Sequence, residues 1–309
     1  SNTGGDNAIY PHWNISEGSE AVVRFLPDRD ETNTFFWTER NMIKLPFAGI
    51  KGQTDSRPVT VQVPCMEMYG KTCPVLTEVR PWFKDKSMED MGRKYWKKKS
   101  YIFQGFVTTN PLAEDTTPEN PVRRFIIGPQ IFNIIRSALL DPEMEEMPTD
   151  YVKGVDFRIT KTTKGGYADY STSKWSRRER ALDEAERAAI DTHGLHNLGD
   201  FRPKEPTEAE VKIIAELFAK SVEGEAYDLE QYGQYFRPAG VAYQGKPQVA
   251  VPTASAPAAT PVTEAAPVTA APVTQSAPAP QPVAATAPAG DSAKRAEDIL
   301  KLIRSRQAK

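Results

Sequence analysis

The stretch RKYWKKKSYIFQGFV, Arg93 to Val107, sets the reading of the whole chain. Five of its first seven residues are cationic (Arg93, Lys94, Lys97, Lys98 and Lys99), and Tyr95 and Trp96 sit among them. From about Lys97 the pattern becomes that of a strand. Side chains alternate across the pleat, so Lys97, Lys99, Tyr101 and Phe103 fall on one face, and Ile102 and Phe106 on the other. Cations beside flat rings suit a flexible polyanion of stackable bases, because Lys and Arg neutralise phosphates and an exposed ring offers a face to a base. The competing reading is a solvated basic helix end that runs into an ordinary core strand.

Upstream of this stretch, short apolar runs are bounded by turn residues. Ala21 to Leu26 reads as the first strand, stopped by Pro27 and the charged turn Asp28 to Glu31, and Phe35 to Ile43 and Val59 to Val63 read as two more. Ser87-Met88-Glu89-Asp90 reads as a helix start that carries Arg93 and Lys94 into the opening stretch. Downstream, Val122 to Ile127 again mixes cation and ring through Arg123, Arg124 and Phe125. Gly128-Pro129 then opens a helix with Ile131, Ile134, Ile135 and Ala138 as its packing stripe. Val155 to Thr160 alternates cleanly, turns at Lys164-Gly165-Gly166 and returns through Tyr167 to Ser171, which predicts a β-hairpin with Tyr167 and Tyr170 on its second arm. Ser176 to Glu179 matches a capping box, predicting a helix from there to about Thr192. Thr207 to Glu210 matches another, opening a helix that buries Val211, Ile214, Ala215 and Phe218 on the barrel.

Four segments follow from these patterns: a Gly-rich, irregular arm over 1–20, a folded core over 21–238, a linker over 239–290 and a terminal helix over 291–309. The linker is Ala, Pro, Val and Thr with little else. It cannot bury enough apolar surface to offset its ordering entropy, and as a flexible coil it would span roughly 40 Å. The last segment resumes helical spacing with Ala296, Ile299, Leu300 and Ile303 on one stripe and Lys294, Arg295, Lys301, Arg304 and Arg306 around it. An amphipathic helix on a long tether is expected to fold into a partner's groove.

Charge and composition restrict the function. The formal net charge is −2, so any polyanion site has to be a local groove on an acidic body. Two cysteines, Cys65 and Cys73, are too few for a disulfide framework, and no signal peptide or long apolar run is present, which points to a reducing compartment. The sequence opens at Ser1 with no Met, leaving room for a preceding arm. Phosphate-loop, dinucleotide-binding and HExxH motifs are missing, and the His193/His196 pair is split by Gly194, so neither an enzyme nor a cofactor is expected.

Rings and cations recur together in three strand-like places: Tyr95 to Phe103, Arg123 to Phe125, and Tyr167 to Trp175 with Lys174, Arg177 and Arg178. The fold expected is mainly β with added helices, built on a five-stranded Greek-key barrel of the OB type that binds single strands. The candidate contacts are Arg93, Lys94, Tyr95, Lys97, Lys98, Lys99, Tyr101, Phe103, Arg123, Arg124, Phe125, Tyr167, Tyr170, Lys174 and Arg177, with Ala296, Ile299, Leu300, Ile303 and Arg304 reserved for a protein partner. A protein-interaction adaptor and an RNA-binding barrel are the other classes compatible with these residues.

The order of these segments resembles the gene-32-type single-stranded DNA-binding proteins of T-even-like tailed phages. The likeness runs from about Gly18 to Arg180. It is carried by Ala21 to Pro27, Cys73-Pro74-Val75, Lys97 to Tyr101, Arg124 to Gly128 and Gly166 to Tyr170. It implies an OB-fold that coats single strands in phage replication, recombination and repair, in the cytoplasm of an infected bacterium. Lys97 to Lys99 match the family's Lys/Arg-Ser/Thr contact motif, and Tyr101, Phe125, Tyr167 and Tyr170 fall where it places aromatic groove residues. Three departures stand out. The family's zinc takes one His and three Cys, whereas Leu76 occupies the last Cys position here and no His lies between Trp13 and Pro64, so no zinc is expected. The basic N-terminal arm that drives cooperative self-association along DNA has no counterpart in Ser1 to His12. The acidic C-terminal tail is replaced by a neutral linker and a basic helix, suited to recruiting a replication or recombination protein.

Overall fold

The structure, a computed structural model, describes residues 8–245. The partner-docking residues expected at Ala296, Ile299, Leu300, Ile303 and Arg304, the terminal helix and nearly all of the linker lie outside the described residues.

Strand β4 (Lys98–Thr109) is the axis of the sheet. Its first half pairs antiparallel with β2 (Thr38–Phe47), and its second half pairs with β1 (Glu20–Phe25). Strand β5 (Arg123–Ile127) pairs with its middle. Ile102 is registered with both Thr38 and Ile126, and Gly105 with both Phe25 and Arg123, so β1 and β2 share one edge of β4 and β5 takes the other. The path continues from β2 to β3 (Val59–Pro64), and from β1 through β6 (Val155–Thr160) to β9 (Lys174–Glu179). The result is a seven-stranded antiparallel sheet ending at β3 and β9; a closed five-stranded barrel is not what the strand pairing draws.

Gly105 is where β4 meets β1. A Cβ there would lie 2.1 Å from the carbonyl oxygen of Arg24, so only a residue without a side chain allows the two backbones to approach. Next to it, the buried Gln104 side chain donates to the carbonyls of Pro27 (2.9 Å) and His196 (2.8 Å) and accepts from the His196 amide (2.7 Å). One amide thereby ties the end of β1, the middle of β4 and the loop after the next helix but one.

Two apolar cores lie along this sheet. The first holds Ile43, Leu45 and Phe47 of β2, Val61 and Val63 of β3, Cys65 and Cys73, and the apolar sides of α1 (Pro74–Val79), α2 (Glu89–Tyr95) and a later helix. The second holds Val23 and Phe25 of β1, Tyr101 and Phe103 of β4, Phe125 and Ile127 of β5, Phe157 and Ile159 of β6, and Ile131, Phe132 and Ile135 of α3 (Pro129–Leu139). Residues 8–19, expected to belong to an irregular arm, dock on this second core. The Tyr10 and Arg124 backbones hydrogen-bond at 2.8 Å, and Tyr10, His12 and Ile15 are buried.

Two predicted elements differ. The return from β6 is not a single hairpin: β7 (Thr162–Lys164) and β8 (Tyr167–Asp169) pair as a separate two-stranded ribbon, while β6 itself pairs with β1 and β9. The helix expected from Ser176 is strand β9 instead, and α4 spans Glu184–His193, with Asp183 and Glu186 forming its reciprocal cap. Local capping chemistry at Ser176 loses because Trp175 packs on Phe25 and Phe157 once the segment pairs with β6. The cap at Thr207 and Glu210 opens α5 (Glu208–Val222), as its sequence predicts. α5 packs on α1 and β2 in the first core, with α6 (Leu229–Tyr232) following.

His12 gives this docking a pH dependence. Burial pushes its imidazole down to about 4. The unfolded chain takes up this proton near the ordinary value of about 6.5 and the folded one only near 4, so stability is lost as pH falls through that window, by ~3 kcal/mol. Urea unfolding at pH 7.5 and 4.5 should show a larger drop for wild type than for His12→Phe, which keeps a ring and cannot charge.

Candidate nucleic-acid interface

Alternation on β4 divides the cations of the opening stretch into two sets. Lys97 and Lys99 lie with Tyr101 on the core side of the sheet, where carboxylates meet them. Lys97 Nζ is 3.0 Å from Glu67 and Lys99 Nζ is 3.5 Å from Glu39. Glu67 also accepts from Arg80 at 2.6 Å, and that bond together with the one from Lys97 holds its carboxyl below the usual range. The Trp96 ring lies between Arg80 (5.5 Å) and Lys97 (5.9 Å) and packs against the first core, so it is partly core and partly a cation platform. Arg93 pairs with Glu89 and lies 3.8 Å from Asp90, and Lys94 sits 5.7 Å above the Tyr95 ring. Lys98 is on the opposite face. Its Nζ donates to the Arg93 carbonyl at 2.8 Å, and its pKa is lowered by burial and by the neighbouring Lys44.

Several rings and cations expected on an outward surface are interior. Phe103 and Phe125 face each other across β4 and β5 inside the second core, and Tyr170 is buried against His12. Tyr95 is buried in the first core, with its hydroxyl 2.9 Å from Ser221 and its ring against Phe218. Arg123 forms a buried pair with Glu114 at 2.7 Å and lies over Tyr10, while Arg124 covers the Phe201 ring at 3.7 Å. For Phe103, Phe125, Arg123 and Arg124 the physical reason is shared, whereas Tyr95 ends α2 and Tyr170 follows β8, each turned into a core by its own element. β4 and β5 carry buried residues on both faces, so alternation selects which core a ring enters without placing any ring in solvent.

Solvent-facing aromatic surface is concentrated elsewhere. Tyr167 is 55% exposed at the tip of the β7–β8 ribbon, after a turn in which Gly165 and Gly166 take φ of 60° and 82°. Lys174 and Arg177 are exposed on β9. Sequence reading missed Phe35, which is 58% exposed in the loop before β2. Its ring is 5.0 Å from Trp37, Trp37 is 5.2 Å from Phe132, and Phe132 stacks flat on Tyr101 at 3.5 Å. A ladder of four rings thus runs from the loop tip to the strip of β2 and β4 that carries Glu39 and Lys99. The signal was available in Phe35-Phe36-Trp37: alternation sends Phe36 into the core and turns its neighbours the other way. Asn33 fixes the loop by donating to Asp28 (2.9 Å) and to the Trp37 carbonyl (3.0 Å). α3 joins the ladder to the ribbon. Its Phe132 stacks on Tyr101, while the Gln130 side chain bonds Asp169 (2.5 Å) and the Tyr170 amide (2.8 Å).

The open end of this row, Phe35, can offer a ring face to a base and the cations nearby can meet phosphates, whereas Phe132 and Tyr101, each 7% exposed and stacked on one another, anchor it in the second core. Residues 17–218 match the family model described as gp32 DNA binding protein like. The chain belongs to that family of DNA-binding proteins. None of the curated proteins compared matches it. The match takes in the sheet, the ladder, the ribbon and most of α5.

The zinc that the family resemblance implies does not fit these residues. Cys65 and Cys73 hydrogen-bond to each other deep in the first core, Leu76 packs beside them, and no group of three or more potential ligands occurs among the described residues. The mutual hydrogen bond pushes the Cys65 thiol up and Cys73 down to about 6, so Cys65 is the donor of the pair; two sulfurs alone cannot close a tetrahedral site.

The Arg123–Glu114 pair separates structural cations from contacting ones. Arg123→Ala leaves a half-enclosed carboxylate without its partner and should cost ~3 kcal/mol in urea unfolding. At a temperature where the variant is folded, its affinity for a nucleic-acid strand should match wild type.

Proposed function

We propose that this protein coats single-stranded DNA, largely without regard to sequence, during the replication, recombination and repair of a tailed phage in its bacterial host, and that it does so without catalysis. The family membership supports DNA as the ligand. The observation that supports the single-strand reading is the exposed Phe35 ring, held at the open end of a row of rings that is anchored through Trp37 and Phe132 on Tyr101. Duplex DNA keeps its bases stacked on each other, so an exposed protein ring profits only a strand whose bases are free. Tyr167, Lys164, Lys174 and Arg177 extend the same chemistry over the ribbon and β9, held in place by α3.

The strand's phosphates would compete with Glu39 and Glu67 for Lys99 and Lys97. The basic terminal segment, with Ile299, Leu300, Ile303 and Arg304, would recruit a replication or recombination protein, and neighbouring copies would associate along the strand. No helix among the described residues is long and apolar enough to cross a membrane.

Titration with oligo-dT should quench the aromatic fluorescence, and binding should weaken steeply as salt rises and be far poorer for a duplex of the same length. Equal affinity for duplex and single strand would overturn the proposal. Phe35→Ala should weaken oligo-dT binding by ~1–3 kcal/mol, the worth of one stacked base, with no change in thermal stability.

A further inference from the structure

Arg40 stands on the other face of β2 and β4, away from the ladder. It is registered opposite Ser100, and Met42 opposite Lys98, so Lys98 is the diagonal neighbour of both Arg40 and Lys44 on one surface. Arg40 is only 6% exposed, yet among the described residues its guanidinium meets neither a carboxylate nor a hydrogen-bond acceptor. The same fold satisfies its other buried arginines. Arg24 donates to the Asp150 carbonyl (2.8 Å) and pairs with Asp156 (3.4 Å), and Arg123 pairs with Glu114. Burial alone lowers the Arg40 pKa, with no neighbouring anion opposing it. The nearby carboxylates, Glu39 and Glu67, are on the far side of the sheet, occupied by Lys99 and Lys97.

A buried cation without a partner is costly. Nor is the guanidinium sealed off. Its nitrogens are absent from the fully enclosed, unbonded atoms, which include the Nε of Arg24 and Arg202, so an approach from solvent remains. A planar fork of donors suits two oxygens of one phosphate, with Lys98 diagonal to it on the same face and Lys44 one step further along β2. Arg40 is the third residue of β2 and five residues after Phe35, at most about 17 Å from it along the chain, a span that a nucleic-acid strand with a base on Phe35 can cover.

We propose that Arg40, flanked by Lys44 and Lys98, is a phosphate subsite that takes a backbone phosphodiester of the bound strand. This rests on the single-strand reading, and the test separates the two. The full chain and its Arg40→Met variant are compared in oligo-dT binding across a salt series and in thermal unfolding with and without sodium sulfate. For Arg40→Met the slope of log affinity against log salt should shrink by about 0.7, the loss of one phosphate contact. Sulfate stabilises any folded protein to some extent, so the expected result is a larger rise in melting temperature for wild type than for the variant at the same sulfate concentration. Without sulfate the variant should melt at or above the wild-type temperature, because an uncompensated buried charge has been removed. An unchanged salt slope, or equal protection of both proteins by sulfate, overturns the subsite. So does a variant that melts lower in the absence of anion, which would make Arg40 a packing residue. Wild type that ignores oligo-dT yet is protected by sulfate through Arg40 overturns the strand reading while supporting an anion subsite. Arg40→Lys, which keeps the charge, guards against misfolding of the Met variant and should retain most of the salt slope.

Discussion

The close passage of β4 across β1 is the constraint on which the rest of the structure depends. Gly105 lets the Arg24 carbonyl come within a distance that any side chain would forbid. Because β1 and β2 then share one edge of β4 while β5 holds the other, a single twelve-residue strand serves two cores. The helices of the first core and α3 of the second are thereby set on either side of one strip of sheet. That strip, with Glu39 and Lys99 at its centre, receives the ring ladder.

The fold was legible where a pattern has one interpretation and illegible where burial is two-sided. β1, β3, β5, α3 and α5 follow from alternation, from Pro at a helix start or from a capping box, because those signals are local. β9 was read as helix because the cap-like Ser176 and Glu179 are a local signal, whereas the pull of Trp175 toward Phe25 and Phe157 is a tertiary one. The site was partly legible for the same reason. Lys97, Lys98 and Lys99 form one basic run in sequence, yet the sheet sends two of them to carboxylates and the third to the far face. Phe103, Phe125 and Tyr95 have the composition of stacking rings and the burial of core residues, a distinction that only the packing of β5, α2 and α5 makes.

The loss of two zinc ligands, relative to the pattern that the sequence resembles, is offset by ordinary packing. Cys65 and Cys73 sit in the first core with Val75, Leu76, Val79 and Trp82, and Trp82 in turn stacks on Phe218 of α5. α5 takes up the role of a clamp: its Phe218 also meets Tyr95, and its Ser221 hydroxyl reaches the Pro46 carbonyl of β2 and the Tyr95 hydroxyl. The segment on which the opening stretch begins is thus fixed by a helix more than a hundred residues later in the chain.

Glu39 and Glu67 give the free protein a property that a count of lysines would miss. Each already occupies the place at an interface cation that a phosphate oxygen would take. On the proposed function, strand binding at Lys97 and Lys99 would be an exchange of one anion for another, in which a carboxylate moves into water as a phosphate leaves it. Fewer small ions would be released than the number of lysines suggests, and dissociation would be assisted by an acceptor that travels with the protein. A chain that binds in this proposed way would hold a strand and still give it up, because its own side chains would compete for the contacts at Lys97 and Lys99.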